Sequence, residues 1–273
     1  LLLRALPSSF GRHVHPIETT RRFFRIVDEN TVTVTFLALL FTWLAESRGL
    51  AAEMPTTLIS IAVIFPITFS INAAWVRREE ALRYFASMKA SAAGLYYAHR
   101  DWLPGETDPH AQRGQRVVRQ LLSAVHEYLA EEREEKTDRL ADVYDAFSKL
   151  SHSIEELRSA GMSGSEISRI NQYLRMIVND FELMRNIAAY RTPVPLAAYS
   201  RVFLNVLPVA FAPYFAWLSI SYYTGVGYAV AALYAIVLVS LANIQEDLED
   251  PFDGVGEDDV RLDIAEFYVE SLG

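Results

Sequence analysis

Six histidines are the first residues to weigh for chemistry: His13, His15, His99, His110, His126 and His152. Only His13 and His15 stand close enough in sequence to share a metal ion. No H-E-x-x-H helix accompanies them, so a solvated tail is the favoured reading. The chain has no cysteine, which removes thiolate metal sites, cysteine nucleophiles and disulfide scaffolds. Gly225-Val226-Gly227 and Gly254-Val255-Gly256 lack the strand–turn–helix setting of a phosphate cradle. No Ser, His and Asp fall in a spacing that argues for a nucleophile and its base, and the chain is not expected to be an enzyme. One cluster keeps a chemical reading. Residues 246–259 hold eight acids, Glu246, Asp247, Glu249, Asp250, Asp253, Glu257, Asp258 and Asp259, and oxygen-rich clusters suit Ca²⁺. Their spacing is not that of an EF-hand, and a solvated acidic linker is the alternative.

The elements that must carry these residues follow from how charge is distributed. The 273 residues are 51% hydrophobic and 22% charged, with a formal net charge of −9 that argues against nucleic-acid binding. A mean hydropathy of +0.12 looks soluble, but charge and apolar residues are segregated. Residues 30–45, 54–76 and 202–245 contain no Asp, Glu, Lys or Arg. A helix needs about 20 mostly apolar residues to cross a bilayer. The second stretch suffices for one span. The third suffices for two, with a break at SYYTGVGY (221–228), and the first is short but can borrow Val27. Arg21, Arg22 and Arg25 precede the first span, Arg77, Arg78 and Arg83 follow the second, and Arg191 and Arg201 precede the third. Between spans one and two only Arg48 is basic, and between three and four nothing is. The positive-inside rule then places both termini and the centre in the cytoplasm of a multi-pass cell-membrane protein. Nothing at the start has the basic, apolar, small-residue order of a signal peptide.

Residues 78–200 read almost wholly as helix. Val117, Val118, Leu121, Leu122, Val125 and Leu129 mark a one-sided helix, and the run EEREEKTDR (131–139) extends it as a solvated face. Val143, Phe147, Leu150, Ile154 and Leu157 continue the pattern to a break at Gly161–Gly164. Ile167, Ile170, Leu174, Ile177, Phe181 and Met184 then alternate spacings of three and four, a seam suited to close packing. Ser163 or Ser165 could cap its start, and Thr192-Pro193 ends it. The expected organisation is all-α, an integral membrane protein of four transmembrane helices and a long helical cytoplasmic region. Its parts are a cytoplasmic segment (1–29), transmembrane helices 1 and 2 (30–76), a cytoplasmic helical domain (77–200), transmembrane helices 3 and 4 (201–245) and an acidic cytoplasmic segment (246–273).

The predicted spans contain no Asp, Glu, Lys, Arg or His, so a proton-coupled transporter lacks its usual groups. In the second span Ile61, Phe65 and Phe69 recur every four residues and share one helix face, about 6 Å apart along the axis. Spacing alone fits an ordinary lipid-facing or packed face. Placed around a central axis in several copies, the same face forms apolar rings that pass ions only when wetted.

Three segments resemble the bestrophin family of pentameric ion channels. IAVIFPITF (61–69), followed by Arg77, Glu80 and Ala81, looks like the family's pore-lining helix, with Ile61, Phe65 and Phe69 on its three neck positions. RTPVP (191–195) resembles the T-P-V-P that opens the third span of bacterial members. EDLEDPFDG (246–254) resembles the E-E-L-E-D-P-F-G after their last span. The resemblance implies a homopentamer in a lipid bilayer with a central axial pore, a hydrophobic neck and a second constriction at the cytoplasmic exit. Counting back from RTPVP without gaps puts Ile167 at that aperture. Animal members bind Ca²⁺ through acids after an Asn-Pro-Phe that matches Asp250-Pro251-Phe252. Here Gly254-Val255-Gly256 delays the next acids, so Asp247, Asp250, Asp253, Glu257, Asp258 and Asp259 are candidates without a one-to-one match. The implied function is passive conduction of small monovalent ions. Aromatic ring edges lean it toward anions such as chloride. Glu166 beside the aperture pulls toward a cation-selective channel, and a non-conducting membrane scaffold is the rival from another class.

Overall fold

A computed structural model describes residues 27–103, 108–131, 136–190, 194–254 and 259–272. His13, His15, Arg21, Arg22, Arg25, Arg191, Glu257 and Asp258 lie outside these. Among the described residues every regular element is a helix: α1 (Glu29–Ser47), α2 (Thr56–Asp101), α3 (Asp108–Ala130), α4 (Lys136–Ser159), α5 (Gly164–Ala189), α6 (Val194–Ala210), α7 (Ala212–Ser221), α8 (Val226–Glu249) and α9 (Ala265–Ser271). They fall into two compact units. One holds the described residues up to Ser70 together with Pro195–Glu246, and the other holds Ile71–Val194 and the residues from Asp247 onward.

In the first unit the uncharged stretches become helices. Three helices are long and apolar enough to cross a membrane: α2 from Ile59, the α6–α7 segment Ala198–Ser221, and α8. The apolar part of α2 ends at Val76, before Arg77. The shorter α1, which carries the uncharged residues 30–45, is not among the three. Its threonines lower its hydropathy, yet several of their hydroxyls fold back onto the helix: Thr33 donates to the Glu29 carbonyl (2.8 Å), Thr35 to Thr31 (2.7 Å) and Thr42 to Ala38 (2.7 Å). Bonds of this kind satisfy polar groups without water. Asp28 caps α1 by accepting from the Thr31 N–H at 2.7 Å. Small residues let α1 and α8 approach closely, with Val34 and Ala38 buried against Ala235 and Val239.

The expected break at 221–228 is present, between the end of α7 and the start of α8. Gly225 turns the chain at φ +99°, and a Cβ on Gly227 would lie 1.8 Å from the Phe215 carbonyl oxygen. These glycines serve a turn and a helix contact. A second break divides the third apolar stretch itself. Pro213 has no N–H to continue the helical ladder, and α6 gives way to α7 at Phe211.

In the second unit α3, α4, α5, α9 and the later part of α2 enclose one core. Tyr128 and Phe147 pack their rings on Phe181, each with centroids 5.5 Å away. The predicted extension of α3 through the charge run is not observed: α3 ends at Ala130 and α4 starts at Lys136, with 132–135 outside the described residues. The start of α5 resolves the choice of cap. Ser163 accepts from the Glu166 N–H (3.3 Å) and donates to its carboxylate (3.1 Å), a reciprocal capping box.

Candidate functional site

The candidate site is a face of α2. The first part of this helix is a continuous uncharged, mostly apolar run, and Pro66, inside it, removes one backbone donor. Val63, Ile67 and Ser70 are buried on one side of the helix. On the other, Ile61, Phe65 and Phe69 are 53%, 62% and 62% exposed. The Phe65 and Phe69 rings sit 5.6 Å apart, tilted by 57°. The three predicted neck residues therefore share an outward face. One turn beyond Phe69, Asn72 is also exposed. At about 100° per residue it projects about 20° from Ile61, on the same side of the helix.

Past the apolar stretch, Arg77 reaches the end of α5. Its guanidinium donates to the Ile187 carbonyl (3.1 Å) and to the Tyr190 carbonyl. The last turn of α5 carries no basic residue of its own. Arg77 thus supplies the positive charge that a helix C-terminus favours and satisfies carbonyls the ladder leaves open. The sequence marks Arg77 only as a basic flank, and no local spacing pairs it with residues more than a hundred positions away.

Ile167, the expected aperture residue, is buried in this chain. It is 1% exposed, enclosed in the core of the second unit with Ile170, Ile177, Phe181 and Met184. Ser163, Gly164, Ser165, Ser168 and Arg169 are exposed at this end of α5, with Glu166 half-buried in the capping box.

The described acids of 246–259 stand in different surroundings. Glu246 pairs with Arg201. Asp250 is buried and accepts from the Phe252 N–H at 3.3 Å, fixing a turn whose Pro251 carbonyl accepts from Val260 at 2.9 Å. Phe252 is buried in the core of the second unit. Asp247 and Asp253 are exposed and Asp259 is half-buried. Among the described residues no three carboxylate or imidazole side chains converge as metal ligands.

Elsewhere in the second unit His99 is wholly buried. Its Nδ1–H donates to the Leu95 carbonyl at 2.9 Å, and burial holds its pKa below the usual imidazole value. Burial likewise lowers the Lys89 ammonium, which lies over the Phe85 ring at 4.8 Å.

The arrangement is that of an all-helical protein with membrane-type apolar helices and a separate helical body. Its sequence matches no protein-family model and no curated protein. Its structure does match solved ones. Three crystal structures of single-residue variants of a bacterial bestrophin homologue from Klebsiella pneumoniae superpose on it. One has a TM-score of 0.72 at 19% identity, covering 92% of this chain and 97% of that one. A second gives 0.69 at 20%, covering 92% and 97%, and a third 0.71 at 18%, covering 92% and 99%. The chain has a bestrophin-like fold.

Proposed function

We propose that the chain is the subunit of a bestrophin-like ion channel, a homopentamer that passes small monovalent ions passively, with chloride-like anions favoured. In this reading α1 is the fourth span, both termini are cytoplasmic, and Ile61, Phe65 and Phe69 from each copy form the neck. The observation that carries the reading is the exposed face of α2, where Asn72 follows the apolar trio. A carboxamide directed at hydrocarbon is costly, so a face that continues from phenylalanine to asparagine suits a passage that holds water better than it suits lipid. The aromatic pair supports the anion preference, because ring edges carry partial positive charge.

Planar-bilayer recording of the purified protein under a chloride gradient tests this. Unitary currents that reverse near the chloride potential support the proposal, and currents that grow when Phe65 and Phe69 are replaced by alanine support the neck. Reversal at the cation potential gives the cation-selective channel, and a silent, well-folded protein gives the scaffold. Adding Ca²⁺ in the same recording tests the acidic segment.

A further inference from the structure

The first unit holds an apolar cavity of about 470 Å³ lined by Phe41, Leu44, Leu50, Val206, Val209 and Pro213, within the roughly 300–1,000 Å³ of small-molecule sites. Its origin is local. Pro213 interrupts the helix between α6 and α7, and Ala45, Ala210 and Ala212 also line the space without filling it. The loop after α1 is pinned over one side, since Leu50 N–H donates to the Ala45 carbonyl (2.8 Å) and Ala52 N–H to the Pro213 carbonyl (3.1 Å). The wall residues Phe41, Leu50 and Val206 are themselves exposed, so the cavity opens outward.

We propose that this cavity binds an acyl chain of a membrane phospholipid, with the lipid phosphate held by Arg48. Two features select that occupant. The lining residues are all apolar and include the middle of the membrane-type α6–α7 segment, which the membrane reading surrounds with hydrocarbon rather than water. Arg48, the one basic residue between the first two apolar stretches, is exposed at the C-cap of α1, with its backbone N–H on the carbonyl of the cavity residue Leu44 (3.0 Å). A cation within one helical turn of a residue that lines an apolar slot is complementary to a phosphodiester with a hydrocarbon tail. The proposal rests on the membrane reading of this unit and is independent of conduction.

The test reconstitutes the full chain in vesicles containing a phospholipid with a photoactivatable diazirine midway along one acyl chain, and maps the adducts by peptide mass spectrometry. Adducts at residues 41–50 and 206–213 are expected at least severalfold above those at the exposed Leu233 and Val237 of α8. Ala210→Trp places bulk in the slot from an exposed position and should bring the excess down to the α8 level. Arg48→Gln should reduce it. Labelling of the slot no greater than that of α8, or an excess that survives Ala210→Trp, overturns the proposal, as does a cross-link showing a second copy of the chain seated there. Absence of adducts from every apolar helix overturns the membrane reading itself.

Discussion

Replacing Ile167 with alanine separates a core role from an aperture role. The side chain is 1% exposed and sits at the head of the buried seam that continues through Ile170, Ile177, Phe181 and Met184. Truncating an enclosed isoleucine costs about 2–5 kcal/mol, because apolar burial is lost and the cavity left behind closes only in part. For a unit of this size each kcal/mol lowers the thermal midpoint by roughly 2–4 °C, so the variant should melt on the order of 10 °C lower. Ile167→Val, which removes one methyl, should cost about 0.5–1.5 kcal/mol and fall between. The assay is intrinsic-fluorescence melting of wild type and both variants in one detergent, run beside ion flux into liposomes. Ile61→Ala is the control. Its side chain is outward-facing in the chain, so its midpoint should stay within a few degrees while flux changes. The reasoning is refuted if Ile167→Ala melts within about 1 °C of wild type yet alters flux, which is the signature of a side chain facing a passage.

The other predictions concern the neck, a helix contact and one buried base. Phe65→Ala with Phe69→Ala should raise single-channel conductance and leave the midpoint little changed, because both rings are outward-facing; an unchanged conductance removes them from the neck. Gly227→Ala puts a methyl 1.8 Å from the Phe215 carbonyl oxygen, a backbone atom, so α7 and α8 must separate; loss of the monodisperse gel-filtration peak is expected, and a wild-type peak and midpoint would contradict the contact. Arg77→Gln should lower the midpoint by uncapping α5, with Arg77→Lys restoring part of the loss, and equal midpoints for all three proteins would remove the capping role. His99 faces the charges of His110 and Glu156, the latter paired with Arg113. With its folded-state pKa below the unfolded 6.5, it should stabilise the neutral fold fully above about pH 6.5 and progressively less as pH falls toward the lowered value. His99→Gln should flatten the midpoint-against-pH curve in that window, and parallel curves would show that the imidazole does not titrate there.

Much of the fold is legible in the sequence because a membrane makes charge patterning decisive. The uncharged stretches locate α1, the first part of α2, the α6–α7 segment and α8, and SYYTGVGY marks the turn between the last two. Two features escape that signal. The hydropathy change at Arg77 does not end a helix: α2 runs on to Asp101, because helix formation responds to backbone propensity and packing, while hydropathy responds to the surrounding medium. The break at Phe211 is hidden for the converse reason. Pro213 sits in a stretch as apolar as its neighbours, and only its missing N–H interrupts the ladder.

The site shows where two sequence signals conflict. Gapless counting from RTPVP assigns Ile167 to an aperture, yet the same residue opens the three-and-four periodicity that marks a buried seam. A side chain cannot serve both in one conformation. Periodicity has the closer physical warrant, since each member of the seam is held by its neighbours, whereas a count carried over more than twenty residues fails with one insertion or one shifted helix end. The neck trio meets no such conflict. Ile61, Phe65 and Phe69 lie opposite the buried Val63, Ile67 and Ser70, so spacing and burial agree on their face. What spacing leaves open is whether that face meets lipid or water, because phenylalanine tolerates both. Asn72 is the residue that discriminates: it extends the same face with a group that hydrocarbon cannot satisfy and water can.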